Sequence, residues 1–206
     1  MNKDFTSKHY AARTKEKMMD VLMNPSPDSP DIHYHMVRGG SNQRNITIWE
    51  PGVIGGEYIK THGHYHVGKL DETYWVIFGE GILLVQKRTT DANGNPIDDE
   101  IDKAYAVHVK AGDALFIPSE WGHLVANISK TYFVTADDSP VNFDDENPVS
   151  FPGHADYEAV KKMRGFCYYI VEKDGKPTLV KNKRYKKIPE IEIINASDYP
   201  LKKQTS

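Results

Sequence analysis

From Ile32 to Phe133 the chain runs in short stretches rich in Ile, Val, Tyr, Phe and Thr, broken by clusters of Gly, Pro, Asn and Asp. β-branched and aromatic residues fit a pleated surface, and the breakers supply turns, so this stretch reads as strands and connections. The pattern predicts strands over 32–37, 43–49, 57–62, 72–78, 82–88, 104–109, 113–117, 123–128 and 131–136. Many short strands at that spacing imply an all-β sandwich or barrel. Before them, Thr6 can cap a helix running to about Met23, with Tyr10, Met18, Val21 and Leu22 loosely on one side. Pro25, Pro27 and Pro30 end it, because proline removes backbone donors and favours extended chain. After the strands come an irregular loop over 137–152, a short helix over 155–163, and a hairpin turning at Lys173-Asp174-Gly175-Lys176-Pro177. The expected division is an N-terminal helical arm and linker over 1–31, a barrel over 32–185, and a C-terminal tail over 186–206.

Composition narrows this picture. A chain of 206 residues, 39% of them hydrophobic, can bury one sizeable core. Its 26 basic and 29 acidic residues are mixed along the sequence, for a net charge of -3, so there is no basic stripe and nucleic acid is not an expected partner. Cys167 is alone, which rules out an intrachain disulfide. No stretch reaches the roughly eighteen apolar residues of a membrane span, and the first residues lack a signal peptide's apolar run, so a cytoplasmic protein is expected.

The candidate chemistry lies in His62-Gly63-His64-Tyr65-His66 and Glu72. Histidines two apart in extended chain project from one face and can converge on one ion. Three share that face, so two ligand pairs are open. The distance from Gly56 favours His62 and His64, whereas the interval to Glu72 and the Gly-His-x-His context favour His64 and His66. A further histidine follows Gly112, Pro118 and Gly122, with Asn127 four residues on: His123. Three imidazoles and a carboxylate suit a divalent transition metal such as Fe, Mn, Ni or Zn, with positions left for substrate.

These two segments resemble the paired motifs of the cupin superfamily, whose fold is a double-stranded β-helix, or jelly-roll barrel. Within it, the chain is similar to the cupin-type glucose-6-phosphate isomerases. The likeness rests on Thr61-His62-Gly63-His64-Tyr65-His66, Glu72-Thr73-Tyr74, then Pro118, Trp121, His123 and Asn127, then Gly153-His154-Ala155-Asp156-Tyr157 with Gly165-Phe166. The resemblance implies metal ligands at His64, His66, Glu72 and His123, and one divalent ion per subunit, iron first. It sets Thr47, Thr61, Gly63, Tyr34 and Tyr157 against a sugar phosphate, with Glu72, Tyr74 and His154 at the reacting atoms. It also implies a homodimer, because such barrels commonly pair through their sheets.

The implied reaction interconverts glucose 6-phosphate and fructose 6-phosphate, an aldose–ketose isomerisation that moves a proton between C2 and C1 through an enediol(ate). A metal-bound site can stabilise that charge while a carboxylate carries the proton. Two other readings use the same residues: another cupin enzyme such as a dioxygenase, which calls for an apolar pocket, and a non-catalytic cupin that binds sugar phosphates. By propensity alone, Thr47 and Thr61 are ordinary strand residues, and Trp75 and Trp121 ordinary core aromatics.

Overall fold

A computed structural model describes residues 9–39, 44–141 and 155–203. Two sheets, antiparallel but for one edge strand, face each other. The first has the strand order β1 (Tyr10–Thr14), β2 (Ile32–Val37), β3 (Asn45–Trp49), β12 (Phe133–Asp137), β7 (Glu72–Phe78) and β10 (Ala114–Ile117). The second runs β11 (Trp121–Asn127), β8 (Glu80–Thr90), β9 (Pro96–Lys110) and β16 (Ile193–Asn195). Single-residue bridges, Lys60 with Ala126 and His64 with His123, lay the segment 59–66 along the free side of β11. Four consecutive positions in each sheet (β3, β12, β7, β10 and 59–66, β11, β8, β9) have the alternation of a jelly-roll barrel, as expected of the double-stranded β-helix.

Inward-facing residues of the two sheets fill the space between them: the rings of Trp49 and Phe133 meet tilted at 5.2 Å between centroids, and Leu83, Val85, Val107 and Val125, on the same face as His123, are fully buried. Small pieces close the ends: β4 (Val53–Ile54), β5 (Glu57–Tyr58), β6 (Tyr65–His66), β13 (Ala155–Asp156), helix α2 (Glu158–Lys162), and the hairpin of β14 (Tyr168–Lys173) with β15 (Lys176–Lys181).

The N-terminal segment differs from the helix expected over 6–23. Among the described residues, Tyr10–Thr14 pairs antiparallel with β2 and is followed by one helical turn, α1 (Lys15–Met18), and a 3-10 turn at Met19–Val21. The physical reason is the edge of β2, whose unpaired backbone groups accept a fifth-to-sixth strand more readily than a weakly amphipathic helix could cover them. Only Met18, Val21 and Leu22 of the expected apolar side are buried, and Tyr10 is exposed. An ion pair holds this segment down: Lys60 Nζ lies 3.6 Å from Glu57 Oε1 and donates to the Val21 carbonyl at 2.8 Å, while Glu57 Oε2 accepts the Met23 N–H at 2.8 Å. Burial pushes the Lys60 ammonium down and the Glu57 carboxyl up in pKa.

The C-terminal residues are likewise part of the body. β16 joins the second sheet parallel to β9, and Tyr199 is buried with its hydroxyl donating to the Phe116 carbonyl at 3.0 Å. Of the loop expected over 137–152, residues 137–141 are described, and Asp137 ends β12.

Candidate metal centre

Local sequence sets each donor in place. Gly63 has φ +78, and a Cβ there would stand 2.8 Å from Phe166 Cε1, so only glycine lets the chain turn between His62 and His64 while packing on that ring. His64 and His123 exchange backbone hydrogen bonds, at 3.2 and 3.0 Å, which puts their side chains on neighbouring strands with ring centroids 4.4 Å apart. A Cβ on Gly122 would lie 2.7 Å from the Tyr65 ring, so that residue pair fixes how closely 59–66 approaches β11. His66 sits on β6 opposite Ala155, and Glu72 opens β7 opposite Ile117. Asn127 secures the far end of β11: its Nδ2 donates to the carbonyls of Glu50 and Thr131, and its Oδ1 accepts from Ser129.

The outcome is one donor atom each from His64, His66, Glu72 and His123, all within 4.8 Å of one another. Glu72 Oε2 is 3.3 Å from His66 Nε2 and 3.2 Å from His123 Nε2, and the Nε2 atoms of His64 and His66 are 3.2 Å apart. Glu72 and His123 are 2% and 1% exposed, and Glu72 Oε2 and both ring nitrogens of His123 have no hydrogen-bond partner among the described residues. Buried polar atoms in that condition are costly unless something binds them, and three imidazoles with a carboxylate fit a divalent transition ion. Burial lowers the pKa of His64 well below the ordinary imidazole value and that of His123 to about 4, so both rings are neutral and have lone pairs to give at neutral pH. Burial works against charge on Glu72, but the imidazoles of His123 and His66 outweigh it and hold its pKa below the usual carboxylate value.

Of the two pairs left open by spacing, the structure brings His64 and His66 together with Glu72 and His123. His62 is buried, with Nδ1 3.0 Å from the Gly63 carbonyl oxygen and its ring edge-on to Tyr157 at 4.9 Å, and stands outside the donor group.

Three of the donors, His64, His66 and Glu72, line a cavity of about 280 Å³ whose walls include Tyr34, Thr47, Thr61, Tyr74 and Tyr157, five residues expected there from sequence. Gly63 is not among the walls; a Cβ there would meet Phe166 and Leu124, so it packs closely on both. His154 lies outside the described residues. Trp121 is buried and stacks on Tyr105 at 5.6 Å, as a core aromatic does. Tyr74 is buried beside His123, ring centroids 5.4 Å apart; burial and the nearby carboxylates of Glu72 and Asp137 raise its pKa well above the ordinary phenol value and keep it protonated.

Three side chains at this site escaped sequence reasoning. Arg38 is the one Arg or Lys among the described cavity walls, with its Nη2 3.2 Å from Met36 Sδ. Asp137 ends β12 opposite Tyr74 and accepts from Asn45 Nδ2 at 2.6 Å; burial and the neighbouring Glu72 push its pKa up to about 7. Arg13, on the N-terminal strand, donates to the hydroxyls of Tyr34 and Tyr157. Period-two alternation could have flagged Arg38, because Tyr34, Met36 and Arg38 share one face of extended chain.

A family model described as Glucose-6-phosphate isomerase (GPI) matches residues 31–189. The chain belongs to that family. Among curated relatives, glucose-6-phosphate isomerase of Pyrococcus furiosus is 29% identical over 143 residues, covering 68% of this chain and 63% of that protein. The enzyme of the same name from Thermococcus onnurineus is 28% identical over 142 residues, covering 68% and 62%. The chain thus spans less than two thirds of the length of these relatives. A solved structure, the Drosophila melanogaster CENP-C cupin domain, aligns with a TM-score of 0.36 at 15% identity over 54% of this chain and 70% of that one. The matched span holds all four donors, and it leaves out β1, α1 and β16.

Proposed function

We propose that this chain is a metal-dependent aldose–ketose isomerase that interconverts glucose 6-phosphate and fructose 6-phosphate. The observation that carries the proposal is the donor group of His64, His66, Glu72 and His123 opening on a cavity lined with hydroxyls, in a chain of the glucose-6-phosphate isomerase family. A divalent ion held by these donors supplies Lewis acidity to adjacent oxygens of the sugar. Iron is the expected ion, with Mn, Ni or Zn accepted by the same donors. We further propose a homodimer working in the cytoplasm, at the hexose-phosphate step shared by glycolysis and gluconeogenesis. Among the described residues no helix is long and apolar enough to cross a membrane.

The chain's own groups divide the remaining work. Thr47, Thr61, Tyr34 and Tyr157 offer hydroxyls to the sugar phosphate, and Arg38 offers a positive charge on the same walls. Glu72 is the proposed proton carrier between C2 and C1, since its carboxylate is at the floor of the cavity and a group must be within hydrogen-bond reach of the proton it moves. Protonated Tyr74 next to it donates to a sugar oxygen as negative charge develops there. His154 is proposed beside the substrate on the strength of the family motif. A dioxygenase acting on an apolar compound is disfavoured by walls that carry Arg38, Thr47, Thr61, Glu72 and Asp137.

The test is to incubate metal-loaded protein with fructose 6-phosphate in deuterium oxide and follow the product by proton NMR. Glucose 6-phosphate carrying deuterium at C2 is the expected product, and Glu72→Gln should abolish both turnover and label. Failure to form any glucose 6-phosphate rejects the isomerase reading; turnover and label undiminished in Glu72→Gln reject Glu72 as the proton carrier.

A further inference from the structure

Arg13 stands on β1, outside the span matched by the family model, and pairs with Tyr34 in the β1–β2 register. Its Nε donates to the Tyr34 hydroxyl at 3.0 Å and its Nη2 to the Tyr157 hydroxyl at 3.2 Å. The guanidinium also lies over both rings, 5.8 Å and 5.2 Å from their centroids. Its charge is therefore faced by two phenols, and both phenols are walls of the cavity beside the metal donors, whereas Arg13 itself is not a wall.

The hydrogen-bond inventory of these hydroxyls has a direction. A hydroxyl has two lone pairs and one proton. The Tyr34 oxygen accepts from Arg13 and also from the His62 N–H at 3.2 Å, so both lone pairs are in use and only its proton remains to be given. The Tyr157 oxygen has one lone pair taken by Arg13. The Thr61 hydroxyl accepts the Val125 N–H at 3.1 Å, which biases it in the same sense. A sugar hydroxyl both donates and accepts, but a phosphate oxygen at neutral pH chiefly accepts. Donors backed by a positive charge suit the second. Burial raises the Tyr34 pKa, which keeps its proton in place.

We infer that Arg13 is a positioning residue that turns the hydroxyls of Tyr34 and Tyr157 into a pair of donors for the phosphate group of the substrate. The inference rests on the sugar-phosphate reading above and extends it: the N-terminal strand, which the family model leaves out, completes the phosphate subsite from behind. Arg13 acts through the two tyrosines and touches no reacting atom.

The experiment uses full-length, metal-loaded protein with fructose 6-phosphate as substrate and inorganic phosphate as competitor, and measures phosphate binding directly by calorimetry. Arg13→Gln and Tyr34→Phe should each raise KM and weaken phosphate binding by about tenfold, the loss of one hydrogen bond to a charged group. The kcat should stay within about threefold, because a phosphate held equally in ground and transition states affects binding alone. The double variant should bind phosphate about as weakly as Arg13→Gln alone, since Arg13 acts through Tyr34. Unchanged phosphate binding in Tyr34→Phe, a variant that keeps the arginine and the ring packing, overturns the inference even if Arg13→Gln fails to fold. A fall in kcat at constant KM in Arg13→Gln also overturns it. Wild-type protein that binds phosphate through Arg13 without isomerising sustains this inference and defeats the isomerase reading. Isomerisation with phosphate binding indifferent to Arg13 and Tyr34 does the reverse.

Discussion

Glu72 Oε2 and both ring nitrogens of His123 are buried with no hydrogen-bond partner among the described residues, and this sets the chemistry of the whole site at the scale of single atoms. His123→Ala removes one of four donors, so the protein as purified should lose most of its bound transition metal by elemental analysis, along with its activity. Glu72→Gln should lower kcat by about a hundredfold or more in a steady-state assay, the range expected for loss of a proton-transferring group. Gly63→Ala forces a Cβ to 2.8 Å from Phe166 at φ +78, so it should destabilise the fold by about 1–3 kcal/mol in chemical denaturation. The donor group was legible in the sequence because its spacing is local: one residue separates His64 from His66, and a Gly–Pro–Gly frame leads into His123. Arg13 and Asp137 were not, because each reaches the cavity through a strand partner distant in sequence, Arg13 opposite Tyr34 and Asp137 opposite Tyr74.

At the scale of elements, the strands of the barrel could be read from composition and turns, and the pieces that lock it could not. A strand edge competes for whatever backbone is near, and Tyr10–Thr14 took that partner although the sequence resembled a helix. The tail was equally opaque: a parallel pairing with β9 leaves no local signature, and its fully buried aromatic is Tyr199, with Ile193, Ile194 and Leu201 packed on the core beside it. Tyr199→Ala should cost about 3–5 kcal/mol of unfolding free energy, as for a buried aromatic truncated to Ala, measured by denaturant titration. The junction of the N-terminal segment with β2 carries a pH dependence. His33 on β2 is fully buried with Nε2 2.7 Å from Ser29 Oγ, and burial, with the nearby Lys60, lowers its pKa to about 4. The unfolded chain therefore takes up a proton near the ordinary value of 6.5 while the folded chain does not, so stability present above that pH is lost as pH falls toward 4. Melting temperature recorded across that window should fall, and His33→Gln should fall less steeply.

For the whole molecule, a jelly-roll barrel gathers donors from the segment 59–66, from β7 and from β11 onto one opening, and segments at both chain ends brace it from outside. Metal binding and folding are then linked, because the unfolded chain cannot assemble the four donors. Saturating the site at about a hundred times the dissociation constant should add about 2.7 kcal/mol of stability, visible as a rise in melting temperature that chelator reverses. The central claim, that this barrel isomerises a sugar phosphate through that metal site, is tested most directly by one assay of fructose 6-phosphate turnover. The same preparation is assayed as purified, after chelation, and after reloading with Fe, Mn, Ni or Zn. The account predicts that turnover to glucose 6-phosphate disappears on chelation and returns with at least one of these ions. Folded, metal-loaded protein that turns over no fructose 6-phosphate with any of them, or activity indifferent to chelation, would contradict it.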